Sequence, residues 1–218
     1  MFTNLHLRLF LFFLLTSATV LSQKKVIKKF ETQSKEIEIS TLGLDDVLIE
    51  NTDANFIEIF LTAENIAEQH IIYKEEFNTL KIQFEIPESL PEDKVFRKFI
   101  TERLQRASVV LKIPSNKNIT VFGDEINIES KSYKGDLNIF IEKGILKLHT
   151  IIDNLVVKMY AGNLYATSNN TSIDIVSKAG KIVINDVLVD ETYQKRVAKS
   201  MKEVRINSAK ANIFLTAQ

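Results

Sequence analysis

One recurrence constrains this chain more than anything else in it. From Lys117 onward, every ninth residue is apolar: Ile119, Ile128, Leu137, Leu146, Leu155, Leu164, Ile173 and Ile182. Two places further along each unit stand Val121, Ser130, Ile139, Leu148, Val157, Ala166, Ile175 and Ile184, so a second apolar column has Ser130 as its one polar member. Two apolar residues separated by one other residue mark a strand with one buried face, because side chains alternate across a pleat. A fixed recurrence of such units predicts a solenoid. Nine residues allow about five for a strand and about four for a turn.

The turns alternate in chemistry. Gly144, Gly162 and Gly180 lie 18 apart, whereas Gly135 is followed at the same interval by Asp153 and Thr171. One coil therefore consists of two units. Ile119, Leu137, Leu155 and Ile173 should stack on one wall, and Ile128, Leu146, Leu164 and Ile182 on the other, with the glycines at a corner that leaves no room for a side chain. The predicted fold is all-β: a parallel, two-walled β-solenoid of about 18 residues per coil.

Looser versions of the pattern flank the centre. Ile37 and Ile39, Val47 and Ile49, Ile57 to Leu61, Ile71 and Tyr73, and Leu80 to Phe84 read as strands, separated by polar turns. Residues 87–108 break the pattern. Pro91, Glu92 and Asp93 suit a helix start, and Val95, Phe96, Phe99, Ile100 and Leu104 recur at helical spacing. A short helix or ordered loop is predicted near 88–107, and its basic side, including Lys94, Arg97 and Arg103, is a candidate docking surface. A second insert, 189–201, delays the last units, Val204 with Ile206 and Ile213 with Leu215, and is expected to loop out between coils.

At the N-terminus, Arg8 precedes the apolar run Leu9 to Leu15 and a small-residue stretch ending at Ser22. This predicts a signal peptide over 1–22, a flexible segment over 23–34 and a solenoid domain over 35–218. The chain is then expected to be secreted, to the periplasm, the outside of the cell or its surface, with no transmembrane segment after cleavage.

Composition narrows the chemistry by exclusion. There is no cysteine, which removes disulfides, thiolate metal ligands, a thiol nucleophile and a lipidated N-terminal Cys together. Lys and Arg total 28, as do Asp and Glu, so no charge excess points to nucleic acid. The calcium-binding Gly-Gly-x-Gly-x-Asp turn of nine-residue rolls is missing, His70 and His149 have no zinc-spaced partner, and no nucleophile elbow or phosphate loop occurs. Asp124, Glu125 and Asp136 sit at turns, where acids are ordinarily solvated. No cofactor, metal or catalytic residue is expected. Tyr133, Tyr160 and Tyr165 are the candidates for a surface binding patch.

The runs Leu111 to Gly123, Tyr133 to Ile141 and Ser177 to Ile184, behind a signal peptide, resemble the secreted bacterial β-strand-repeat proteins called auto-transporter adhesins or head GIN domain proteins. The resemblance implies a β-solenoid in the cell envelope and brings no binding residue with it. The functional expectation is a non-enzymatic, adhesin-like binding or structural protein whose partner is an envelope protein or glycan. A carbohydrate-active β-helix enzyme and a periplasmic sensor or regulatory partner of a membrane protein are the alternatives.

Overall fold

The computed structural model describes residues 24–63, 66–67, 70–86, 107–198 and 200–218. These residues form a 16-stranded mixed sheet without an α-helix. In chain order the strands are β1 (Lys24–Glu31), β2 (Glu36–Ser40), β3 (Asp46–Thr52), β4 (Phe56–Ala63), β5 (Ile71–Glu76), β6 (Thr79–Phe84), β7 (Ser108–Pro114) and β8 (Asn118–Glu125). They continue as β9 (Asn127–Ser130), β10 (Leu137–Ile151), β11 (Leu155–Ser168), β12 (Ser172–Ser177), β13 (Ile182–Ile184), β14 (Val187–Val189), β15 (Thr192–Lys195) and β16 (Glu203–Ala217). The predicted insert at 88–107 falls, but for Ala107, outside the described residues, as does the signal segment.

The nine-residue repeat becomes a parallel ladder. Leu137 pairs in register with Ile119 on one side and Leu155 on the other, and Leu146 pairs with Ile128 and Leu164. Each step is 18 residues, so every inward side chain rests on its equivalent in the neighbouring strand. Ile119, Leu146 and Leu164 are completely buried and Leu155 nearly so. β10 and β11 each span two units, and β10 runs first along β8 and then along β9. Two rows of strands result, sharing β10, β11 and β16, and their inward residues make one core cluster. Ser130, the polar member of its column, is buried and accepts the Tyr133 N–H at 3.4 Å.

Turn side chains tie neighbouring repeats together at the same interval. Asn127 Oδ1 accepts the Ile145 N–H, Ser132 Oγ the Thr150 N–H, and Asp136 Oδ1 the Asn154 N–H. At the glycine corner the backbones approach too closely for any side chain. A Cβ on Gly162 would collide with the Gly144 carbonyl oxygen, and Gly162 also has φ +124, which L residues rarely adopt.

The order of strands in the sheet departs from the order of the chain. β16 lies parallel between β11 and β12, with Val204 between Leu155 and Ile173, and Ile213 between Leu164 and Ile182. The expected direct stacking of Leu155 on Ile173 is therefore corrected: the last repeat is threaded between two earlier ones. Its phase permits this, because Val204 and Ile213 are nine apart like every other pair. The insert that delivers it does not simply loop out. Thr192–Lys195 turns back as β15, antiparallel to β12, while β14 runs antiparallel to β13.

The N-terminal end repeats this device. β2 and β3 lie between the β6–β7 pair and the β8–β9 pair. Antiparallel β5 adds to β6, and β4 adds to β7. Lys24–Glu31, expected to be flexible, is instead β1, antiparallel to β4 through eight residue pairs with Lys24 opposite Ala63. The sheet is thus mixed rather than parallel throughout, with parallel pairing at its centre and antiparallel strands at both ends of both rows.

Two outcomes follow from these contacts. Ile213→Ala should cost about 2–5 kcal/mol in urea unfolding, since Ile213 is fully buried between two coils, and Gly162→Ala should also destabilise while Tyr160→Ala changes little. Acid is the second lever. Hydrogen bonds from Ser34 and Thr32 hold the Glu75 carboxyl below its ordinary value, and Arg205 with Arg196 does the same for Glu203. Their folded pKa lies below the unfolded one, so this stabilisation is complete above the ordinary glutamate range, about 4.3, and fades as pH falls through the folded values. Tm should drop over that window, and Glu75→Gln should make the drop shallower; an unchanged acid limb in the variant would contradict the assignment.

Candidate binding face

The middle lines of the two rows turn different chemistry outward; beside the first row's line, Phe122 and Phe140 form a separate stacked pair with centroids 5.5 Å apart. Along the middle of the first row, register places Lys74, Lys81, Glu38, Thr120 and Asn138 side by side, followed by Val156, Arg205, Asp174 and Gln194. All but Val156 are polar. The second row presents Ile27, Phe60, Val110 and Leu48, then the pair Glu129 and Lys147, then Tyr165, Phe214, Val183 and Leu188. Here apolar and aromatic side chains stand on both sides of one charged pair. Lys25 and Lys112 place their ammonium groups 4.7 and 5.2 Å from the centre of the Phe60 ring.

A cavity of about 460 Å³ lies on this second face. One side is the row of Lys147, Tyr165, Phe214 and Val183, and the other is His149, Thr167, Thr216 and Asp186. Tyr165 and Phe214 stack with centroids 5.0 Å apart and planes 7° from parallel. They meet because β16 sits beside β11. Asp186 is carried by the two-residue turn between β13 and β14, where Asn185 and Asp186 both have positive φ, a conformation that Asn and Asp tolerate in tight hairpins. A smaller hollow of about 240 Å³, lined by Leu48, Val110, Ile145 and Glu129, adjoins the first through Lys147.

His149 owes its place to an irregularity. The β10–β11 register shifts between Lys147 and Thr150, and His149 has φ 43 within that shift. Such bulges re-aim a side chain and sharpen the local twist. His149 Nε2 reaches Glu129 Oε1 at 2.8 Å, so a histidine without any partner in its sequence neighbourhood gains one from the adjacent coil. Among the described residues, no group of three or more His, Cys, Asp or Glu side chains is placed to hold a metal ion.

The three tyrosines picked from the sequence do not form one patch. Tyr133 is buried at 4% exposure, with its hydroxyl 3.0 Å from the Pro114 carbonyl oxygen and 3.1 Å from that of Lys117. Burial raises the pKa of its phenol well beyond the ordinary range. Tyr160 is exposed on the first-row half of β11, with Lys210 Nζ over its ring at 5.3 Å. Only Tyr165 lines the cavity. Lys94, Arg97 and Arg103 lie outside the described residues. Sequence reasoning missed Phe214, Thr167, Thr216, Asp186 and the His149–Glu129 pair. Glu129, Lys147 and Tyr165 were within its reach, since they recur at 18; Phe214 was not, because nothing in the spacing says that its strand is inserted beside β11.

No family model matches the chain, and no curated protein matches it. Among solved structures, the chain resembles a candidate cell adhesion protein from Clostridium sporogenes, with a TM-score of 0.59 and 13% identity over 90% of this chain and 100% of that one. This shows a shared fold. A candidate adhesin from Bacteroides fragilis aligns over 91% of this chain and 99% of its own at 10% identity and a TM-score of 0.33. Another from Parabacteroides distasonis aligns over 90% and 97% at 13% identity and a TM-score of 0.28. Likeness at those last two levels carries no argument about this chain.

The burial of Tyr133 makes its role structural. Tyr133→Phe removes the hydroxyl from two turn carbonyls and should cost about 1 kcal/mol in urea unfolding, while leaving any ligand bound at Tyr165 and Phe214 unaffected.

Proposed function

We propose that this chain is an exported, non-enzymatic binding protein of the cell envelope or surface, adhesin-like, whose strands wind as a β-solenoid of about 18 residues per coil. The winding is supported by the parallel registers that put Ile119, Leu137 and Leu155 in line. Export is supported by Arg8 and the apolar run Leu9 to Leu15. The resemblance of the repeats to head GIN domain proteins agrees with both.

The observation that carries the function is the contrast between the two outward faces. A contiguous apolar strip crossing a row of strands is uncommon on a protein that binds nothing, because it keeps hydrocarbon in water without contributing to the core. The second row carries two such stretches, separated by Glu129 and Lys147, on the outside of the core cluster. Each stretch crosses four strands, and with the charged pair between them the row spans ten strands, roughly 43 Å at the usual spacing between strands, which suits an extended partner.

The carbohydrate-active enzyme is kept as a second reading because His149 and Asp186 line one cavity and Glu129 bonds to His149. Incubation with polysaccharides that releases no reducing ends would remove it. The binding reading is tested with fluorescently labelled protein on bacterial envelope fragments. Attachment should saturate, fall about tenfold for Phe60→Asp or Phe214→Asp, which is worth about 1.4 kcal/mol, and stay unchanged for Thr120→Asp on the polar row. Attachment that never saturates, or that Thr120→Asp weakens equally, would contradict it.

A further inference from the structure

We infer that the cavity beside Tyr165 and Phe214 takes a short neutral oligosaccharide, of about two or three pyranose units. This rests on the binding reading above and names the ligand for one part of the second face.

The cavity is divided lengthwise by chemistry. Aromatic and aliphatic side chains, Tyr165, Phe214 and Val183, form one side, with Lys147 at its β10 end; hydroxyls and a carboxylate, from Thr167, Thr216 and Asp186, form the other, with the His149 imidazole. A pyranose ring has the same division, with C–H groups on its faces and hydroxyls around its rim. Set lengthwise in the cavity, a ring would cover aromatic surface with its apolar face while its rim exchanges hydrogen bonds with threonine hydroxyls, which both donate and accept. The cavity crosses β10, β11, β16 and β13, three strand spacings or roughly 14 Å, and its volume of about 460 Å³ falls within the range of small-ligand sites.

The same division disfavours other occupants. A hydrocarbon chain would cover Thr167, Thr216 and Asp186 without giving them partners, and a desolvated polar group without a hydrogen bond opposes binding. A peptide adding as a strand needs an open sheet edge, whereas β11 and β16 are paired on both sides here. Charge selects a neutral ligand. Lys147 and Asp186 contribute one charge of each sign, and Glu129 is engaged by His149.

The test is titration calorimetry of the purified protein against linear trisaccharides of glucose, xylose, mannose and N-acetylglucosamine, with oleate as the rival probe. At least one trisaccharide should bind with Kd between about 10 μM and 1 mM. Tyr165→Ala and Phe214→Ala should each weaken it about tenfold or more. Thr167→Val combined with Thr216→Val, which keeps shape and strand preference, should weaken it by a similar factor. Tyr160→Ala, on the other face, should change nothing, and circular dichroism should show all variants folded. Binding that survives both aromatic substitutions, no trisaccharide binding at about 10 mM, or binding of oleate alone would overturn the inference. If the trisaccharides fail while Phe214-dependent attachment to envelope fragments persists, the ligand class is wrong and the binding reading stands. If both fail, both fall.

Discussion

The structure depends on register in its parallel ladders. Each central strand is bonded to its neighbour so that equivalent residues face one another at intervals of 18. This does two things at once. Inward, it piles isoleucine and leucine side chains into columns whose members bury one another. Outward, it lines up whatever the chain places between them, so any surface property becomes a row that crosses strands. A shift of one residue would exchange the two sets, and burial of the inward columns prevents it.

Ladders of this kind leave an open strand edge at each end, which invites pairing between molecules. The chain deals with this the same way twice. Near each terminus it lays strands in the two rows, turns back to add antiparallel strands, and then inserts a later repeat inside the sheet, so that an antiparallel pairing closes each row at each end. At the outermost strand of the second row, β1, four of eight residues are lysines: Lys24, Lys25, Lys28 and Lys29. Charge on an edge strand discourages another chain from pairing there. Lys28 also donates to the Ile71 carbonyl at 2.8 Å, joining β1 to the other row.

Much of the centre could be read from spacing alone. Period, the 18-residue register step, inward columns and the glycine corner follow from residues nine and 18 apart, because sterics and burial act locally there. The threading of β16 could not be read. Val204 and Ile173 present the same kind of side chain at the same phase, and either would satisfy the ladder beside Leu155. Only three-dimensional closure of the ends decides between them. The binding face inherits this limit. Tyr165 was found as an outward aromatic, but its partner Phe214 comes from the inserted strand. His149 was judged isolated because a bulge, which leaves no periodic trace, carries it to Glu129. Tyr133 was misjudged because its turn folds inward onto the Pro114 and Lys117 carbonyls.

The placement of β16 decides both the fold and the face, since without it Tyr165 and Phe214 never meet. The chain has no cysteine, so pairs can be introduced cleanly at outward positions and joined with a short thiol–thiol cross-linker. Register puts Arg205 directly between Val156 and Asp174. Val156→Cys with Arg205→Cys, and Arg205→Cys with Asp174→Cys, should each cross-link efficiently, at strand separations of about 5 Å. Val156→Cys with Asp174→Cys, about twice as far apart, should not. Efficient cross-linking of that last pair would put β11 directly beside β12 and contradict the account.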